Sequence, residues 1–170
     1  MRETPAEIAA LQGLLDRSFA AGGPHLRDVI PPERRLGAEQ VVERLTGMRL
    51  LALATTTADG RPLVGAVDGI FLHGAFHFGT SPESVRWRHV RARPHVSATY
   101  LPGEELSITV HGRAVPVPTS GEEGAELRRV LLEIYVPRYG DEWERFLDSG
   151  PVYARIEPER MFTFAIELGG

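Results

Sequence analysis

The hydroxyls Thr80, Ser81 and Ser84 and the arginines Arg86 and Arg88 fall in one short run, Phe78-Gly79-Thr80-Ser81-Pro82-Glu83-Ser84-Val85-Arg86-Trp87-Arg88-His89. Apolar residues from Ala75 to Phe78 predict a strand that passes into hydroxyls and a proline, then into a helix that soon turns basic. Thr80 or Ser81 is expected to cap that helix, with Pro82 in its first turn, where a missing N–H costs nothing. Free N–H groups at a helix N-terminus, with hydroxyls and arginine beside them, favour an anion. From Val85 to Gly103 there is no carboxylate, while Arg86, Arg88, Arg91 and Arg93 all fall there, a local reversal of sign in a chain of net charge −4. The chemistry expected is phosphate binding. The same residues would also make an ordinary capped helix with solvated arginines, so the surroundings must decide.

Composition narrows the classes. With 170 residues the chain is expected to form one structural unit, long enough for a real core. Its acidic balance argues against bulk nucleic-acid binding. There is no cysteine, which removes disulfides, thiolate nucleophiles, iron–sulfur clusters and cysteine zinc sites. There is no lysine, since all 19 basic residues are arginine, so Schiff-base chemistry and a P-loop lysine are also removed. A phosphate would have to be held by arginine, hydroxyls and backbone. No segment approaches the roughly 20 apolar residues of a membrane span. Glu3 and Glu7 lie close to Met1 where a signal peptide would be basic, so a cytoplasmic protein is expected.

The elements that must position the hydroxyl and arginine run are expected as follows. Thr4-Pro5-Ala6-Glu7 is a capping box, and the helix after it puts Ile8, Leu11, Leu14, Leu15 and Phe19 on one face. Gly22-Gly23-Pro24 ends it, a polar connector with Pro31-Pro32 follows, and a short helix lies between Gly37 and Gly47. Residues 1–47 thus read as a helical appendage, and residues 48–170 as the main domain. In that domain, strands are expected at Leu50–Thr57, Leu63–Leu72, Ala75–Gly79, His95–Tyr100 and Leu106–Val115. Helices at Ser120–Tyr135 and Asp141–Leu147 come next. A sixth strand at Val152–Ile156, a turn at Glu157-Pro158-Glu159 and a seventh strand at Met161–Leu168 close the pattern. Six to seven mostly antiparallel strands with inserted helices predict a mainly β (α+β) barrel, closed or nearly so.

The order of these elements resembles the pyridoxamine 5′-phosphate oxidase-like superfamily of FMN-binding split β-barrels, over about Gln40 to Ile166. The resemblance is carried by Leu53-Ala54-Thr55 with the turn Asp59-Gly60-Arg61-Pro62; by Phe78-Gly79-Thr80 with Ser84 and Arg86; by Arg93-Pro94 before a strand; by Val110-His111-Gly112-Arg113-Ala114; and by the turn Arg155-Ile156-Glu157-Pro158-Glu159-Arg160. It implies a homodimer with the flavin in a groove at the interface. It also puts the phosphate at Thr80, Ser84 and Arg86, with Ser81 beside them, which are the residues of the anion reading. The flavin ring is implied along Leu53–Thr56, including Thr55, and along Gly65, Ala66 and Val67, where small residues allow close approach. Arg86 stands where the superfamily often has lysine, and His89 where it often has asparagine. His89 could donate to the anion or face solvent. The Arg-Gln segment of authentic pyridoxamine-phosphate oxidases is replaced by Glu105-Leu106-Ser107-Ile108, and their Arg-Leu-His-Asp-Arg run has no counterpart around Tyr153 to Phe164. Oxidation of vitamin B6 is therefore not expected.

The function implied is an FMN-binding, oxidoreductase-type homodimer acting on a small redox substrate, with no nucleic-acid or membrane partner. The alternatives are the deazaflavin F420 in place of FMN, or a non-catalytic flavin or haem carrier. Other candidates weigh toward structure. His77, His95 and His111 fall in strands without a metal-ligand spacing, so a hydrogen-bonding role is favoured over ligation, and no metal site is expected. Arg61 and Arg113 could extend a basic cleft, Trp87 could shield a flavin edge or pack on the barrel, and Tyr100, Tyr135 or Tyr153 could reach a pocket. Asp68, in an apolar strand, needs a partner if buried, and arginine is expected.

Overall fold

The computed structural model describes residues 2–166. Helix α1 (Pro5–Ala20) starts at the predicted capping box: Thr4 Oγ1 accepts the Glu7 N–H, and Glu7 accepts the Thr4 N–H in return. Its apolar face buries Leu11, Leu14, Leu15 and Phe19. The connector is not wholly irregular. It holds α2 (Pro24–Val29) and one 3-10 turn (Pro32–Arg34), each opened by a proline preset for a first helical turn, before α3 (Ala38–Arg44).

Strands β1 (Met48–Thr56), β2 (Pro62–Leu72) and β3 (Ala75–Thr80) form an antiparallel meander. His73 (φ 52°) and Gly74 (φ 75°) make the tight turn between β2 and β3, whose left-handed residues match the twist of the flanking strands. After α4 (Val85–Ala92) come β4 (His95–Gly103) and β5 (Leu106–Val117), then α5 (Gly121–Tyr139), α6 (Glu142–Asp148) and β6 (Val152–Ala165). The strand order β1-β2-β3-β6-β5-β4 closes into a six-stranded antiparallel barrel.

Among the described residues there are six strands and no seventh. Glu157-Pro158-Glu159 does not turn the chain; β6 runs through it with a register shift, so that Gly112 faces Pro158 and His111 faces Arg160. A bulge tolerates the proline, which has no N–H for the ladder. Gly112 makes the close approach possible, because a Cβ there would collide with the Glu157 carbonyl. The end of the expected last strand, at Leu168, lies outside the described residues. The inserted helix α5 also runs a turn further than expected, past Pro137 to Tyr139.

Two apolar layers result. Inside the barrel, Leu51, Leu53, Phe76, Phe78, Ile108 and Ile156 pack with one another and with Leu11, Leu15 and Val41 of α1 and α3. The polar groups caught there are paired. Ser18 Oγ donates to the Leu14 carbonyl (2.7 Å) and accepts the Met161 N–H (3.0 Å), while Thr163 Oγ1 accepts the Leu36 N–H (2.9 Å). Outside the barrel, α5 and α6 lie over the outward residues of β2 and β6: Ile70, Leu72 and Tyr153 pack against Leu127, Leu131 and Trp143. No helix among the described residues is long and apolar enough to cross a membrane.

Candidate functional site

The strand-to-helix segment after β3 folds differently from the expectation in one respect. Thr80 stays in β3, paired with Val152, and Ser84 caps α4 instead, its Oγ accepting the Trp87 N–H at 3.0 Å. Pro82 therefore lies in the turn before the helix. Thr80 and Ser84 share a hydroxyl–hydroxyl hydrogen bond of 3.0 Å, and Ser81 Oγ accepts the Glu83 N–H at 3.2 Å. The hydroxyls thus gather at the N-terminus of α4, where backbone N–H groups and the helix dipole favour negative charge.

Among the arginines of this segment, Arg86 alone turns to the cleft beside it. Its guanidinium crosses to β2 and donates to the Ala66 carbonyl at 3.2 Å. Gly65 makes room for it, because a Cβ there would stand 2.7 Å from Arg86 Nη2. No carboxylate among the described residues lies within ion-pair distance of Arg86, and burial lowers its pKa from the ordinary value. A half-buried guanidinium that is bonded only to a carbonyl is a cation with capacity for an anion. The other arginines are otherwise engaged or exposed: Arg93 donates to the Thr56 carbonyl (2.8 Å), Arg88 to the Glu83 carbonyl (3.4 Å), and Arg91 faces solvent.

Arg86 lines an open cleft of about 940 Å³ between the outer face of β2–β3 and the helices α5–α6. Thr80, Ser81, Ala66 and Val67 line it as well. Ser84 and Gly65 stand one layer back, holding Thr80 and Arg86. Thr55 and His89 are elsewhere. Both are buried, Thr55 Oγ1 lies 3.0 Å from His89 Nδ1, and the pair ties α4 to β1. Trp87 is buried in the barrel core, and His95 and His111 sit on the exposed face of β4 and β5. Among the described residues no cluster of three metal-ligating side chains exists.

The far wall of the cleft was not legible as a site in the sequence. Tyr135 stacks on Trp143 (centroids 4.5 Å apart, planes 18° apart), and Tyr139 and Phe146 flank this pair. Asp68 is not paired with arginine, as the sequence led one to expect. Tyr135 Oη donates to Asp68 Oδ2 at 2.8 Å, because α5 passes over this point of β2 and no arginine does. Burial and the neighbouring Asp68 charge raise both phenols, Tyr153 to about 12 and Tyr135 beyond it, so each stays a neutral donor. His77 also lines the cleft, and burial pushes its pKa down to about 4, which leaves a neutral imidazole. The one available signal was spacing: Leu131, Tyr135 and Tyr139 recur at helical intervals that continue the buried face of α5 past the end of its cover.

Helix α5 is pinned from above by His73. The ring lies between Glu7 of α1 (2.9 Å) and Glu126 of α5 (3.0 Å). Desolvation opposes protonation there, but the hydrogen bonds and charges of Glu126 and Glu7 outweigh it and raise the His73 pKa.

The model of the pyridoxamine 5′-phosphate oxidase family matches residues 38–168 of the chain. Among solved structures, the chain is similar to the conserved hypothetical protein Rv2991 from Mycobacterium tuberculosis, at 21% identity and TM-score 0.66, covering 83% of this chain and 97% of that one. It is similar to the heme storage protein HutZ from Vibrio cholerae, at 22% identity and TM-score 0.62, over 76% of this chain and 97% of that one. A FAD-binding protein from Mesorhizobium loti shares 25% identity at TM-score 0.56, over 76% and 93%. No curated protein matches the chain by sequence. The matched family model spans both the barrel and the cleft-forming helices, and the chain belongs to the pyridoxamine 5′-phosphate oxidase-like superfamily of split β-barrels.

Proposed function

We propose that the chain binds FMN in this cleft and serves as a flavin-dependent, oxidoreductase-type protein acting on a small molecule. One observation carries the reading: the half-buried Arg86 guanidinium has no carboxylate partner among the described residues and lines the cleft with Thr80 and Ser81, beside the N-terminus of α4. Arg86, Thr80 and Ser81 would hold the phosphate, and Ser84 would orient Thr80. Ala66 and Val67 offer strand backbone in the cleft beside which a planar ring can lie, while the space over Gly65 is taken by Arg86. When bound, the flavin supplies hydride transfer at its ring; the protein supplies binding, orientation and access. F420, which also carries phosphate, is the nearest alternative.

The reading includes a homodimer. Leu50, Val64 and Leu101 are 60%, 69% and 61% exposed on the outer face of β1, β2 and β4. Ala54 pairs with Val64 and Ala52 with Ala66, so the apolar surface is continuous across β1 and β2 and reaches the rim of the cleft. A contiguous apolar sheet face of this kind favours a partner, and a second copy would wall the flavin groove.

A haem carrier is the second reading. His77 supports it, being neutral and in the cleft with Nδ1 engaged by the Ala75 carbonyl (3.2 Å), and so does the likeness to HutZ. Absorbance of the purified protein separates the readings. Flavin bands, or their appearance on titration with FMN, are expected; a deazaflavin band would indicate F420 and a Soret band haem. A colourless protein that takes up no FMN would contradict the flavin reading.

A further inference from the structure

The cleft has two chemically opposite ends. Arg86 is bonded to Ala66 at one end, and Asp68 stands two residues further along the same strand, about 7 Å away by strand geometry. Asp68 faces the cleft with one neutral hydrogen-bond donor, Tyr135, and no arginine or histidine among the described residues is within ion-pair distance of it. Nearby His77 cannot supply the charge, since its ring is neutral in the working range. Around this carboxylate the cleft wall is aromatic. Tyr135 and Trp143 are buried in a stack, while Tyr139 and Phe146 at its two ends are 55% and 54% exposed, so the four rings form one partly exposed apolar patch. Arg138 lies over one side of Tyr139 (5.4 Å), and Glu142, also in this wall, is paired with Arg145. The cleft lies near the upper end of the roughly 300–1,000 Å³ range of small-molecule sites, so it has room beyond one bound ring.

We propose that the Asp68–aromatic end is a second subsite, for a planar aromatic group bearing cationic N–H donors, and that it receives the substrate ring. The aromatic wall supplies stacking and cation–π attraction, and Asp68 supplies the acceptor and counter-charge. Tyr135 fixes the carboxylate by occupying Oδ2. In the flavin-free protein Arg86 repels a cation from the other end; once a phosphate occupies Arg86, selection for the cation rests on Asp68 and the aromatic wall alone. The proposal rests on the flavin reading only in calling this ring the substrate's; the chemistry of the subsite is independent of it.

The probes are benzamidine, benzoate (the same ring with acceptors only) and cyclohexanecarboxamidine (the same cation without the aromatic ring). They are titrated into the flavin-free protein while the indole N–H resonances of Trp143 and Trp87 are followed. Benzamidine is expected to shift Trp143 and leave Trp87, which lies in the barrel core, unmoved, and to bind about tenfold tighter than either control, as one charge-assisted hydrogen bond allows. Asp68→Asn should bring benzamidine and benzoate to within about twofold of each other. Phe146→Ala, at an exposed position that folding does not need, should weaken benzamidine without changing its preference over benzoate. Equal affinity of the three probes at Trp143, or a benzamidine preference that survives Asp68→Asn, would overturn the proposal. Competition between FMN and benzamidine would also overturn it, because the aromatic end would then belong to the flavin. A protein that binds benzamidine but not FMN would contradict the flavin reading alone, and the reverse result would contradict the subsite alone.

Discussion

The barrel interior and the layer beneath α5–α6 are built from similar residues yet behave as opposites. Inside the barrel, Phe76, Ile108, Ile156 and Met161 have no exposed surface, and the buried Ser18, Thr163, Thr55 and His89 all have hydrogen-bond partners. In the outer layer, α5 covers Ile70 and Leu72 but its cover stops at Asp68, leaving an open cleft edged by half-exposed Tyr139 and Phe146. A close-packed core stabilises, whereas a layer that ends early gives up packing and gains space for a ligand. The difference shows how one strand serves both purposes. Val67 of β2 is buried in the core cluster and reaches the cleft only from beneath, whereas Ala66 and Asp68 on either side of it lie on the cleft face.

The contrast breaks most easily in the interior. Phe76→Ala should cost about 3–5 kcal/mol in urea unfolding, against about 0.5 kcal/mol or less for the exposed Phe146→Ala. Similar costs would mean that the outer layer is as tightly packed as the inner one. Next in size is Thr55→Val, which leaves His89 Nδ1 buried without its partner. A loss of about 2 kcal/mol is expected, with FMN affinity nearly unchanged, because the pair ties α4 to β1 and does not line the cleft. A large loss of FMN binding at constant stability would instead return Thr55 to the flavin contacts.

Gly65→Ala sharpens the comparison from the other side. Its Cβ would press on the movable end of Arg86 and not on backbone, so thermal stability should stay near wild type while FMN weakens by about tenfold. The smallest effect is expected at His73, on the link between the layers. Its pKa is raised by folding, so its contribution is complete below the unfolded value near 6.5 and fades as pH rises through the higher folded value. The pKa of Glu7 is lowered, chiefly by the Thr4 N–H, so its share is present above the ordinary value of 4.5 and fades as pH falls below it. The clasp is therefore strongest between those limits. His73→Asn, which tolerates the positive φ, should flatten the decline in melting temperature above pH 6.5. An unchanged slope would show that the clasp carries no charge.

Much of the barrel was legible because strand alternation and turn chemistry are local. The capping box at Thr4 and the His73-Gly74 turn appear where the residues predict them. The false seventh strand came from treating Pro158 as a chain reversal, when the neighbouring Gly112 on β5 lets the proline sit in a bulge; that pairing is non-local and invisible in either segment alone. The cap was misplaced for a similar reason, since pairing with Val152 keeps Thr80 in β3 and hands the helix start to Ser84. At the site, the hydroxyls and Arg86 were legible from composition. The aromatic wall was not, because Tyr135 meets Asp68, and Trp143 stacks on Tyr135, only after α5 and α6 fold back over a strand some 70 residues earlier.

The central claim is that Arg86 and the hydroxyls beside it hold the phosphate of a flavin. Titration of wild type and Arg86→Ala with FMN and with riboflavin, which lacks the phosphate, tests it most directly. Arg86→Ala should weaken FMN by about 10–100-fold, as expected for a charge-assisted contact to phosphate, and leave riboflavin within about twofold of wild type. Equal losses for both ligands, or no loss for either, would contradict it.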